Sequence, residues 1–170
     1  ELNCKGWSWK DLKPYFVRSE GNTRLGGSEH GVDGPLAVSD LASPNKVSLA
    51  YVQGCMDFGR PHNADFNSGK LEGAGLYQTT IKEGKRCSAA VGYLKPAMKR
   101  PNLTVRTGLF VNRLLIEKGR AVGVEVVNGG QLQRLEAASE VIVTAGAIGS
   151  PKLLMLSGIG PAKHLKERSV

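Results

Sequence analysis

Apolar residues recur at helical spacing in the first half of the chain, and alternate or run unbroken in the second. Trp9, Leu12, Tyr15 and Phe16 fall three and four apart after Ser8, which predicts a helix capped by a serine. Pro14, near the first turn or just past it, is tolerable there. Residues 21–35 are rich in Gly, Asn, Ser and Asp and read as loop. Pro35-Leu36-Ala37-Val38 predicts a short edge strand. Ser43-Pro44 pairs a capping hydroxyl with a proline suited to the first helical position. Val47, Ala50, Tyr51 and Cys55 follow on one face, so a second helix is expected there. Residues 59–73 return to loop. Leu76 to Ile81 alternates and carries Tyr77, Thr79 and Thr80, predicting a strand that Glu83-Gly84-Lys85 turns. Ser88 to Leu94 predicts a helix ended by Pro96.

The pattern changes near Asn102, from which strands dominate. They are expected at Leu103 to Arg106, Leu109 to Glu117, Ala121 to Val127 and Leu132 to Ala137. Lys118-Gly119 and Asn128-Gly129-Gly130 mark the turns, the latter a hairpin signal. Glu140 to Thr144 contains an unbroken apolar run, as a strand buried on both faces of a parallel sheet would. Together these predict an α/β chain of mixed α+β type, in which a β-meander stands beside short buried strands. The break divides the chain into residues 1–101 and 102–170.

Composition narrows the classes. Among 170 residues, 41% are hydrophobic and 22% charged, an ordinary globular mix. No 18-residue apolar run exists, so no membrane span is expected. The opening ELNCKGWSWKDLKPYF lacks the basic and apolar regions of a secretory signal and reads as a sequence entered mid-stream. The net charge of +8 is scattered and does not interleave with aromatics, which argues against a nucleic-acid partner. Cys4, Cys55 and Cys87 are odd in number and far apart, which fits neither a disulfide framework nor a zinc site. Reduced thiols and a cytoplasmic location are the expectation.

One stretch carries chemistry, Val141 to Gly160. A buried strand is expected to end at Thr144. Ala145, Gly146 and Ala147 follow, all small. Ser150-Pro151 then opens a helix that Gly158 can close in the left-handed conformation. Ligands of open α/β sheets bind at that edge. A helix N-terminus suits anionic oxygens or electron-rich ring atoms. The alternative is a plain packing corner whose small residues only permit close contact.

GAIGSPKLLMLSGIG, residues 146–160, closely resembles the second signature of the glucose-methanol-choline oxidoreductases. GWSWKDLKPYF resembles the family's segment after its first signature, and Asp65 to Gly69 resembles its Asp-Phe-Asn loop. The run GLYQTTIKEGKRCSAAVGYLKPAMKRPNLTVRTG resembles the approach to its adenine-side strands. The likeness spans the whole chain and is nearest to bacterial choline-dehydrogenase-like alcohol dehydrogenases. It implies FAD held in a Rossmann-like domain and oxidation of a primary alcohol, choline among the candidates, by hydride transfer to flavin. It also implies a partial Rossmann-like FAD-side segment at 102–170 and a partial substrate-side segment at 1–101. Val111 matches the position whose backbone meets the adenine, with a plain meander residue as the equal alternative. Ala145, Gly146 and Ala147 match the strand-end turn beside the cofactor.

Other family features have no match in these residues. No Gly-x-Gly-x-x-Gly loop occurs: Gly73-Ala74-Gly75 and Gly158-Ile159-Gly160 each lack the third glycine. His30, His62 and His164 do not match the family's late catalytic histidine and are expected at the surface. Ser157 is in no Gly-x-Ser-x-Gly elbow, no P-loop occurs, and Asp57, Asp65 and Glu72 lack metal-loop spacing. No catalytic and no metal residue is therefore assigned. The expectation is an internal segment of an FAD enzyme, inactive alone and holding FAD weakly or not at all. The alternative is a non-catalytic interaction module that keeps the sheet. In either case, strands without parallel neighbours leave open edges through which a homodimer can form.

Overall fold

A computed structural model describes residues 4–169. They form two compact units, one ending at Thr104 and the other beginning at Val105. Both mix helix and small sheets.

The first unit opens with helix α1, Trp9–Ser19. Ser8 and Asp11 form a reciprocal capping box: Asp11 N–H donates to Ser8 Oγ at 3.3 Å, and Ser8 N–H donates to Asp11 Oδ2 at 3.1 Å. Strand β1, Glu20–Asn22, pairs in parallel with β2, Leu36–Val38. Helix α2 covers Lys46–Asp57. Its cap is Asn45, not Ser43 as expected. The Asn45 amide oxygen accepts from Val47 N–H at 2.8 Å, which leaves Pro44 outside the helix.

The strand expected over Leu76 to Ile81 does not form. Only Thr79 pairs with the backbone of Ser39, as an isolated bridge. Side chains fix the segment instead. Tyr77 packs on Phe66 with ring centroids 4.7 Å apart, and Gln78 bonds Asn22 and Asp40. Ile81 belongs to a two-residue strand, β3 (Ile81–Lys82), that turns through Glu83-Gly84 into β4 (Lys85–Arg86). The helix expected at Ser88 to Leu94 is a π-helix over Ala90–Leu94 that runs on into α3, Lys95–Ala97. Pro96 therefore sits inside this helical stretch rather than ending it. Its missing N–H leaves one carbonyl of the preceding turn without a helix donor.

The second unit is a meander of three antiparallel strands in the order β5-β6-β7: Phe110–Glu117, Arg120–Asn128 and Gln131–Glu136. Both turns have two residues with positive φ, Lys118 (51°) and Gly119 (77°), then Gly129 (55°) and Gly130 (83°). That is the turn whose twist matches paired strands. Val126, 1% exposed, and Leu114 form the inner face of the sheet. Helix α4, Gly146–Leu156, packs against β5, and α5 covers Ala162–Glu167. Gly158 closes α4 at φ 81°. Its N–H reaches Met155 O at 3.0 Å while Ile159 N–H reaches Leu154 O at 2.9 Å, a Schellman closure.

Two expected strands do not form: residues 103–106 and 140–144 join no ladder. Helix α4 also begins earlier than Ser150-Pro151, with Ala145 as its cap residue and Pro151 in its interior. Alanines 145 and 147 favour helix, and Gly146 takes the entry conformation at φ 86°. Among the described residues, no helix is long and apolar enough to cross a membrane.

Candidate functional site

Strand β5 and helix α4 are the walls of an open trough of about 490 Å³. Phe110, Val111 and Leu114 line it from the strand, and Gly149, Leu153 and Leu156 from the helix. The segment Val141 to Ala145 closes one side. Most of these side chains are apolar; Thr144 and Lys152 are the polar ones in the lining, and backbone groups supply the remaining polar recognition.

The register of the sheet decides which backbone groups those are. Pairs in an antiparallel ladder alternate between hydrogen-bonded and non-bonded. The two-residue turn makes Asn128↔Gln131 a bonded pair. Counting back along β6, Val126 bonds toward β7, while Val127 and Glu125 bond toward β5. Val111 lies opposite Val126, so its N–H and C=O turn away from β6 to the open edge of β5. Leu114 behaves likewise. Its N–H donates to Ser157 Oγ at 2.8 Å, and that hydroxyl donates to Leu153 O at 2.6 Å.

Val111 and Leu114 are an odd number of residues apart and would face opposite edges in a regular strand. The register shift between Val111 and Arg113 supplies the extra residue, Asn112, as a β-bulge. Glu125 holds both bulge residues. Its Oε1 accepts from Asn112 Nδ2 at 2.6 Å and from Arg113 Nε at 3.2 Å, and its Oε2 accepts from Arg113 Nη2 at 3.1 Å. The Arg113 guanidinium, then the Asn112 amide, hold the Glu125 carboxyl below its ordinary value.

The four residues singled out from the sequence come together only in part. Val111 and Ala145 line the same trough. Gly146 and Ala147 are exposed just beyond it, at the N-terminus of α4. No side chain caps that end, so its first N–H groups remain available to an acceptor. A Cβ on Gly146 would meet nothing within 4 Å. The glycine there serves backbone conformation and open space, not close packing within this chain.

A second cluster lies in the first unit, where sequence reasoning placed only a surface histidine. His30 is 6% exposed, so that expectation is corrected. Its Nδ1 lies 3.0 Å from Glu20 Oε1 and its Nε2 lies 2.9 Å from Asp65 Oδ2. Burial works against the charged ring, but the bonds to Glu20 and then Asp65 outweigh it and raise the pKa above the ordinary histidine value. Asn22 Nδ2 supports Glu20 Oε1 at 2.8 Å. Asn63, also buried, accepts from Asp65 N–H at 2.9 Å and donates to the carbonyls of Lys70 and Glu72. Both ring nitrogens are engaged, so His30 holds structure rather than a substrate proton. A histidine in a polar loop gives no local sign of this, since its partners lie 10 and 35 residues away. His62 and His164 are exposed, as expected. Among the described residues, no group of His, Cys, Asp and Glu is arranged to hold a metal ion.

Residues 1–168 match the profile of the GMC oxidoreductase family. The chain is 47% identical over 172 aligned positions to the oxygen-dependent choline dehydrogenase of Rhizobium etli, covering all of the chain and 31% of that protein. Pyridoxine 4-oxidase from Mesorbium loti superposes with a TM-score of 0.88 at 34% identity, covering 97% of this chain and 33% of that one. An FAD-dependent oxidoreductase from Chaetomium thermophilum superposes with a TM-score of 0.88 at 28% identity, covering 98% of this chain and 31% of that one. The chain spans about a third of the length of the proteins it resembles.

Proposed function

Since the chain belongs to the GMC oxidoreductase family, we propose that it is the part of an FAD-dependent alcohol oxidoreductase that holds the adenine side of the cofactor. One observation carries this reading: the Val111 backbone stands at the open edge of β5, in the wall of an apolar trough. A flat ring with a donor and an acceptor on one edge fits such a wall, because apolar side chains cover its faces and the N–H and C=O of one residue meet its polar edge.

The chain's own groups then have distinct tasks. Val111 offers its N–H and C=O to the adenine edge. Ala145, Gly146 and Ala147 bring the free N–H groups of α4 toward anionic oxygens, and Gly146 leaves room for them. Leu114, Leu153 and Leu156 keep water from the floor of the trough. When bound, FAD supplies a hydride acceptor for the carbon of an alcohol. The glycine-rich pyrophosphate loop and the histidine that handles the alcohol proton are not among these 170 residues. By themselves these residues therefore bind FAD weakly or not at all and turn over no substrate.

The substrate class we propose is a small primary alcohol of the choline type. Choline and pyridoxine, which give their names to two of the similar proteins, both carry a CH2OH group. The test is to purify the full-length protein with added FAD and assay it with choline. One flavin per chain and choline-dependent reduction of an electron-accepting dye are expected. A protein that retains no flavin, or reduces dye equally without alcohol, contradicts the proposal.

A further inference from the structure

Because the proposed contact depends on which way the N–H and C=O of one residue face, what fixes the phase of β5 also fixes it. We propose that Glu125 is a positioning residue: it clamps the β-bulge at Asn112 and so turns the Val111 backbone out toward the adenine end of the cofactor. The inference rests on the function proposed above and adds a residue that itself touches no cofactor.

The argument is one of strand phase. Without an extra residue at 112, the Val111 N–H and C=O would point into the β5–β6 ladder and be used up there. A bulge leaves its extra residue unpaired, so something must hold it. Here the grip comes from across the ladder, on the strand that pairs with β5. Glu125 bonds Asn112 and Arg113 through three contacts, at 2.6, 3.2 and 3.1 Å. Charge-assisted and partly two-pronged bonds of this kind are directional, which suits a clamp. A second glutamate in the same sheet provides the contrast. Glu117 pairs with Arg134 at 2.9 Å, but both side chains are more than half exposed. Glu117 itself sits beside the Lys118-Gly119 turn and makes no contact with the bulge, although Arg134 stands opposite Glu125 across the β6–β7 ladder.

The test uses the full-length protein stripped of flavin, with two readouts. The first is the dissociation constant for FAD and, separately, for ADP, which carries the adenine without the flavin ring. The second is residue-resolved amide exchange at Val111, which needs no cofactor. E125A is expected to raise both dissociation constants about tenfold, the equivalent of about 1.4 kcal/mol. It is also expected to slow exchange at Val111, as that N–H turns into the ladder. E125Q keeps an oxygen acceptor and is expected to recover most of the affinity, while E117A is expected to stay within about twofold of the parent. Unchanged Val111 exchange in E125A overturns the clamp. So does an equal loss of affinity in E125A and E117A, which marks general destabilisation. A parent protein that binds neither FAD nor ADP overturns the functional reading beneath the inference, whatever Val111 exchange shows.

Discussion

His30 Nε2 lies 2.9 Å from Asp65 Oδ2, a contact that spans 35 residues of sequence and ties two polar loops through a buried ring. With Glu20 at the other ring nitrogen, the imidazole is held between two carboxylates. A charged ring donates to both, whereas a neutral ring donates to one and turns a lone pair toward the other. The fold of the first unit is therefore tuned to the protonated form.

The pH dependence follows from the raised pKa of His30. A group whose folded value lies above its unfolded value, about 6.5 for histidine, contributes fully below that unfolded value. Its contribution is lost as pH rises through the folded value. Unfolding by urea is thus expected to show a stability loss as pH rises above about 6.5 that H30Q lacks. Identical pH profiles for the parent and H30Q contradict this.

Removing the ring altogether strands two partly buried carboxylates. H30A is expected to cost about 3 kcal/mol, the scale for breaking a buried ion pair. A melting temperature within a degree or two of the parent would show that the loops hold without it.

Local chemistry was legible in the sequence where the cause is itself local. The Ser8 cap, the glycine turns of the meander and the Gly158 closure each depend on residues within one turn, and each formed. Long-range causes left no local mark. The apolar runs at 103–106 and 140–144 carry strand composition, but composition cannot supply a pairing partner. Around Gln78 side-chain bonds form, while the expected ladder is reduced to the Ser39–Thr79 bridge. At the candidate site, Val111 and Ala145 were singled out through the family resemblance, yet the bulge at Asn112 is gripped by Glu125, across the ladder.

Ser157 joins the two walls of the trough, since its hydroxyl accepts from Leu114 N–H on β5 and donates to Leu153 O on α4. S157A leaves a half-buried N–H without its partner, which costs about 1–3 kcal/mol. S157T keeps the hydroxyl and is expected to retain more stability than S157A. Denaturant midpoints check the order, and equal losses in the two variants contradict it.

Gly146 separates backbone strain from ligand access. A Cβ there meets no atom of the chain but forces an L residue to φ 86°. G146A is expected to lower stability by about 1–2 kcal/mol. It is also expected to weaken FAD binding by more than its stability loss accounts for, because the methyl enters the space in front of α4. FAD affinity equal to that of the parent would mean that space is not used.

The most direct measurement is peptide-level hydrogen exchange on the full-length protein with and without FAD. New protection is predicted in peptides covering 109–114 and 143–149, with Val111 N–H among the most slowed. Flavin-dependent protection confined to other peptides, with these two unchanged, would contradict the assignment of the trough to the cofactor.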